Sequence, residues 1–140
     1  MKQTIKIGTA TGVFDVPDEP PGGHLPTERA KGRLPPGVMN GTERRFSVRL
    51  EYQRLQGEIL WWKFHALRFI LAPNTSYEID FMVMGLDGQM SIYETKGGFV
   101  RDDAIVKLKV AAAMFPFQFY LATEIPKKDG GGFIIKPVTA

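Results

Sequence analysis

Two carboxylates and an amine stand on two neighbouring apolar runs of this 140-residue chain. Asp80 lies in Tyr77-Glu78-Ile79-Asp80-Phe81, and thirteen residues separate it from Glu94-Thr95-Lys96-Gly97. Both runs read as strands, because Ile79, Phe81 and Val83 alternate with other residues, as do Ile92 and its neighbours. Asp87-Gly88 lies between them and favours a turn. Residues two apart on a strand share a face, so Glu94 and Lys96 point the same way. Pairing Asp80 with Glu94 centres the hairpin on Asp87, where the turn signal is. Two carboxylates and a lysine then converge on one patch, and carboxylate oxygens of this kind are what a hard cation such as Mg²⁺ takes. The same residue types also make solvated cross-strand ion clusters. The surroundings favour the first reading. Glu94-Thr95-Lys96-Gly97-Gly98 ends a strand abruptly, a helix start follows at Asp102-Asp103, and a second apolar strand comes after it. The acids thereby fall at the working edge of an α/β unit.

The elements that must position them follow from pattern. Asn40 or Thr42 caps a helix running to about Gln56, with Phe46 and Leu50, and also Val48 and Leu55, on its buried side. Gly57 ends it as a left-handed cap residue. Residues 59–64 and 66–71 are strand-like, and Pro73-Asn74-Thr75 turns the chain into the Asp80 strand. Asp102 or Asp103 caps a second helix, whose stripe is Ala104, Leu108, Ala111 and Phe115, with Ile105 and Ala112 beside it. Pro116 ends it. Residues 117–122 read as a strand buried on both faces, parallel to the Glu94 strand through a helical crossover. Gly130-Gly131-Gly132 precedes a last strand, 133–138.

Before residue 38 the chain differs in kind. Lys2 to Ile7 reads as a short strand. Pro17, Pro20, Pro21, Gly22, Gly23 and Pro26 then forbid regular structure, so residues 15–40 read as an extended, partly flexible segment. The division is an N-terminal arm, 1–37, and one domain, 38–140. Gly8-Thr9-Ala10-Thr11-Gly12 faintly resembles a phosphate loop but lacks the lysine and helix such a loop needs.

Composition removes several chemistries. With no cysteine there is no disulfide, thiolate zinc site or thiol nucleophile, which fits a reducing cytoplasm. No apolar run is long enough to span a membrane, and the N-terminus lacks the apolar core of a signal peptide. The net charge of +3 is unevenly spread. From Glu28 to Arg54 there are seven basic residues (Arg29, Lys31, Arg33, Arg44, Arg45, Arg49, Arg54) against three acids (Glu28, Glu43, Glu51), an excess of four. Such a stretch suits a phosphate backbone, and equally a solvated helix face. His24 and His65 form no histidine pair for a metal, and His65 reads as a half-buried strand residue. Of Trp61 and Trp62, at least one belongs in the core; the alternative use is base stacking.

Taken together, Glu43, Asp80 and Glu94-Thr95-Lys96 resemble the PD-(D/E)xK nuclease superfamily, with Ile79 standing where the motif has proline. Tyr93-Glu94-Thr95-Lys96-Gly97, Asp102-Asp103, a lysine-bearing helix closed by Pro116 and an apolar strand are similar to the phage endonuclease I type of Holliday-junction resolvase. Asn40-Gly41-Thr42-Glu43, with Gly57-Glu58-Ile59 and the Lys107/Lys109 helix, also resembles small phage nucleases. The likeness covers roughly residues 38–138.

The resemblance implies a restriction-endonuclease-like α/β fold, a mixed sheet flanked by helices, with the site at one sheet edge and the arm outside it. It implies a Mg²⁺-dependent endodeoxyribonuclease, with Mn²⁺ able to substitute, cutting branched phage DNA such as a Holliday junction in the host cytoplasm. Symmetric cutting of two strands implies a homodimer. The implied catalytic set is Glu43, Asp80, Glu94 and Lys96. The implied ligands are Asp80, Glu94, the backbone carbonyl of Thr95, and Glu43, which otherwise is simply an acid favoured in a helix's first turn. Arg44, Arg45, Arg49 and Lys107 are the expected DNA contacts. Lys96 orients the attacking water or stabilises developing charge, and serves as a base only if its pKa is lowered. Two other functions stay open: a less selective phage nuclease for host DNA breakdown or packaging, and a DNA-binding protein that does not cut.

Overall fold

The computed structural model describes residues 2–7, 10–15, 34–35, 37–98 and 102–139, and for 2–7, 10–15 and 102–104 the backbone alone. Lys2–Ile7 (β1) and Ala10–Asp15 (β2) form an antiparallel hairpin, in register from Lys2↔Asp15 to Ile7↔Ala10. The first strand is the expected one. Ala10 to Gly12 sit inside a strand, in keeping with the dismissal of a phosphate loop there. The rest of the expected arm, 16–33, lies outside the described residues, with His24, Arg29, Lys31 and Arg33.

Helix α1 spans Gly41–Leu55. Asn40 is its cap: the side chain accepts from the Glu43 amide at 2.8 Å, and Glu43 Oε2 accepts from the Asn40 amide at 2.8 Å. This reciprocal pair satisfies two otherwise orphaned donors. Phe46, Ser47 and Leu50 are buried; Phe46 alone is worth about 1.5–3 kcal/mol of apolar burial. Val48 and Leu55, expected on that face, are exposed. At about 100° per residue, positions 46 and 50 stack together while 48 points roughly opposite. Gly57, at φ 77°, ends the helix as expected.

The strands that follow are Ile59–Phe64 (β3), Arg68–Ala72 (β4), Thr75–Glu78 (β5), Phe81–Gly85 (β6) and Met90–Lys96 (β7). Helix α2, Asp102–Met114, leads to Gln118–Glu124 (β8), a 3-10 turn at Lys127–Asp129, and Phe133–Pro137 (β9). The fold is mixed α/β. One five-stranded sheet has the order β3-β6-β7-β8-β9, with β7 and β8 parallel as the helical crossover predicts and the other neighbours antiparallel. A separate hairpin pairs β4 with β5.

The chain's apolar residues divide into two cores across this sheet. On one side Phe46 and Leu50 of α1 pack with Trp62, Phe64, Phe81 and Val83. On the other, Leu108 and Ala111 of α2 pack with Phe69, Tyr77, Ile79, Met82, Ile92 and Phe119. The alternation Phe81, Met82, Val83 between the two cores is the strand period at work. Trp62 is core, as one tryptophan had to be, and Trp61 is partly exposed.

Three expectations need correction. The strand through Asp80 is broken: β5 ends at Glu78 and β6 begins at Phe81. Ile79 and Asp80 are the link by which the chain leaves the β4–β5 hairpin and enters the large sheet, and Ile79 is fully buried there. Second, β8 is not buried throughout; Phe119 and Ala122 are, while Tyr120 and Leu121 are half-buried beside the edge strand β9. Third, Glu94 lies on the central strand β7 and Asp80 just before its neighbour β6, so the acids lie in the middle of the sheet and not at a sheet edge. No helix among the described residues is long and apolar enough to cross a membrane.

Candidate metal centre

Register brings the site residues into one row. β6 pairs β7 at Phe81↔Tyr93, so one further step opposes Asp80 to Glu94, as the Asp87-centred turn requires. That turn is closed by Gly88 at φ 78° and by the Gln89 amide on Asp87 Oδ1. β3 pairs β6 at Phe64↔Phe81, so one further step opposes His65 to Asp80, and the His65 amide donates to the Asp80 carbonyl at 2.8 Å. Helix α1 aims its first turn at the same place: a Cβ on Gly97 would meet Thr42 Oγ1 at 3.6 Å.

Asp80 is nine-tenths buried. Its Oδ2 accepts from the Thr95 amide and the Thr95 hydroxyl, each at 2.8 Å. Its Oδ1 accepts no hydrogen bond among the described residues, and no fully buried side-chain oxygen there lacks a partner, so Oδ1 reaches solvent. Burial first, then the charges of Glu94 and Glu43, push its pKa up to about 8 despite the Thr95 bonds. A carboxylate so placed holds its negative charge at a cost, which a cation would relieve.

Glu94 is buried with both oxygens engaged. Oε2 accepts from the Tyr77 hydroxyl at 2.6 Å, and Oε1 from Lys96 Nζ at 2.6 Å. Burial lowers the proton affinity of Lys96, but the charge and hydrogen bond of Glu94, with Asp80 and Glu43 behind them, outweigh it and raise the pKa. Lys96 is therefore held as an ammonium beside Glu94. Burial likewise raises the pKa of Glu43, with Glu94 adding to it and the Asn40 amide and Lys96 opposing. Glu43 thus serves two ends, capping α1 through Oε2 while lying at the site.

One group of potential ligands differs from the expected one. A ligand atom from each of Glu43, His65 and Asp80 lies within 4.8 Å of the other two. His65 stands where Glu94 was expected. It is half-buried just past β3, not within it, with a left-handed φ of 49°. It stacks on Phe64 at 3.7 Å, and its Nδ1 lies 3.1 Å from Glu78 Oε1. Glu78 Oε2 in turn accepts from Arg68 Nη2 at 2.8 Å. The signal for His65 was the β3–β6 register, since a strand ending at Phe64 and paired to Phe81 must bring its next residue to Asp80. Thr95 contributes through its amide and hydroxyl, both donated to Asp80.

The expected DNA contacts differ in their surroundings. Arg45 is held by Glu124, with Nη2 on Oε1 at 2.8 Å. Arg49 is exposed and Arg44 half-buried. Lys107 Nζ donates to the Ser76 carbonyl at 3.0 Å, tying α2 to β5. An open groove of about 400 Å³ runs along α1 past Arg45, Val48, Arg49, Tyr52 and Phe133, and holds none of the clustered acids. Glu51 is tied to Arg54 and to Trp62 Nε1. Compared with protein-family models, curated proteins and solved structures, the chain has no match.

Proposed function

We propose that the chain is a metal-dependent DNA endonuclease of restriction-endonuclease-like fold, acting as a homodimer on branched DNA such as a four-way junction. The observation that carries this reading is the solvent-reaching oxygen of buried Asp80, with Glu43 and His65 beside it and the Lys96 ammonium held next to it by Glu94. These donors fit Mg²⁺ or Mn²⁺: carboxylate oxygens suit both, and the imidazole suits the second. Such a cation, when bound, supplies a Lewis acid and a water of lowered pKa. The chain's own residues do the rest. Thr95 fixes Asp80 from two donors. Tyr77 and Lys96 fix Glu94 from both sides. The Lys96 ammonium stabilises negative charge gathering on a phosphate placed at the cluster. Exposed Arg49 and half-buried Arg44 offer positive charge from α1.

The test is cleavage of junction, flap, single-stranded and duplex DNA with Mg²⁺ or Mn²⁺, beside Asp80→Ala. Divalent-dependent cutting of the junction, lost in the variant, is the expected result. Equal cutting of duplex would favour the less selective nuclease. Binding without any cutting would leave a DNA-binding protein.

A further inference from the structure

Glu43, His65 and Asp80 offer a nitrogen among oxygens, and the nitrogen comes with its own support. His65 Nδ1 lies against Glu78 Oε1, which leaves Nε2 as the nitrogen to face a cation. Glu78 is itself gripped by Arg68, whose Nε and Nη2 reach Oε2 at 3.2 and 2.8 Å. One face of the ring stacks on Phe64. A histidine fixed by a carboxylate, itself fixed by a cation, is the arrangement that orients a metal-binding imidazole. In the same cluster Asp80 is nine-tenths buried, its Oδ2 held by Thr95 and its Oδ1 left to solvent.

We propose that His65 is a cation ligand, positioned by Glu78 and Arg68, and that it makes the site select Mn²⁺ over Mg²⁺ and Ca²⁺. The reason is ligand softness: an imidazole nitrogen adds affinity for a first-row transition ion and little for the hard alkaline-earth ions. The hairpin β4–β5 then has a role at the site, because Arg68 and Glu78 face each other across it. The inference rests on the cation site of the nuclease reading but not on cleavage.

The experiment is Mn²⁺ titration of the full chain followed by electron paramagnetic resonance, with pulsed detection of nitrogen coupled to the bound ion, and Mg²⁺ as competitor. Displacing Mn²⁺ should take at least about tenfold more Mg²⁺. The nitrogen signal should be present in the wild type and absent in His65→Asn, a substitution that suits a left-handed backbone. The chain has two histidines, so this variant also separates His65 from His24. Glu78→Gln keeps the imidazole and should weaken Mn²⁺ about tenfold, the usual size of a lost outer partner. Bound Mn²⁺ with no nitrogen signal, a signal surviving in His65→Asn, or no Mn²⁺ binding at all would each overturn the proposal. A His65-dependent signal in a protein that cuts no DNA would uphold it and sink the nuclease reading instead.

Discussion

Asp80 and Glu51 are both carboxylates that accept hydrogen bonds from two residues or groups, yet their proton affinities move in opposite directions. Asp80 takes the amide and hydroxyl of Thr95, both neutral. Glu51 takes the guanidinium of Arg54 and the indole of Trp62. Burial raises the pKa of Glu51 too, but the bonds and charge of Arg54, with Trp62, bring it below its ordinary value. At Asp80 burial is deeper and the charges of Glu94 and Glu43 add to it, so the pKa is pushed up to about 8. The lesson is that a hydrogen-bond count does not fix the proton affinity of a carboxylate. What separates the two is whether the protein supplies the opposite charge or leaves it to be brought from outside.

The largest effect that could break this contrast is on cleavage. Asp80→Asn should lower the metal-dependent rate by on the order of a thousandfold, while Glu51→Gln leaves it unchanged. Equal losses in rate assays at saturating cation would erase the distinction.

The pH dependence of stability is the next sharpest test. The Asp80 carboxyl has an ordinary pKa of 3.8 and one of about 8 in the fold. Between these values the native state holds a proton that the unfolded chain has released, so raising the pH favours unfolding. Metal-free protein should lose melting temperature from about pH 4 to pH 8, and Asp80→Asn should remove that loss. Mn²⁺ should restore more stability at pH 8 than at pH 5. Glu51 has the reverse sign: its depressed pKa contributes stability above the ordinary 4.5, lost as pH falls below it. A melting temperature indifferent to Asp80 across the window would refute the assigned role.

A smaller effect separates the two in denaturant. Glu51→Gln should cost about 1 kcal/mol, since its partly exposed ion pair is screened by water and the indole keeps an acceptor. Urea unfolding of the two variants at pH 8 without metal should show Glu51→Gln destabilised and Asp80→Asn not.

The smallest effect concerns the arginines. Helical spacing puts Arg45 and Arg49 on one face, and sequence alone makes them alike. In the fold Arg45 is matched by Glu124, whose pKa its hydrogen bond lowers, and Arg49 is exposed. Arg49→Ala should lower the salt slope of DNA binding by about one unit, and Arg45→Ala by less. Equal slopes would show that Glu124 releases Arg45 when DNA arrives.

The same particulars show what could be read from the chain. The cap at Asn40, the Gly57 stop, the helix end before Pro116 and the turn at Asp87-Gly88 are local signals, and each gave its element. The turn also fixed the Asp80–Glu94 register, because a hairpin is set by its centre. His65 was not legible by such means. Its place depends on which strand β3 joins, a pairing across sequence that no local pattern states. The break at Ile79-Asp80 was hidden for a related reason. Alternating apolar residues run straight through it, although the chain changes sheets there.

The excursion between those two residues has its own consequence. The β4–β5 hairpin leaves the large sheet just after His65 and rejoins it just before Asp80, and the His65–Asp80 backbone bond ties its two ends. The site residues are thus the neck of a closed loop. The entropy of closing it is offset by Phe69, Tyr77 and Ile79 packing on α2, not by whatever binds at the neck. An ion bound there would meet groups already gathered and need not organise them. Because closure entropy grows only with the logarithm of loop length, the far tip at Pro73-Asn74 is where residues can be inserted with the least disturbance to the neck.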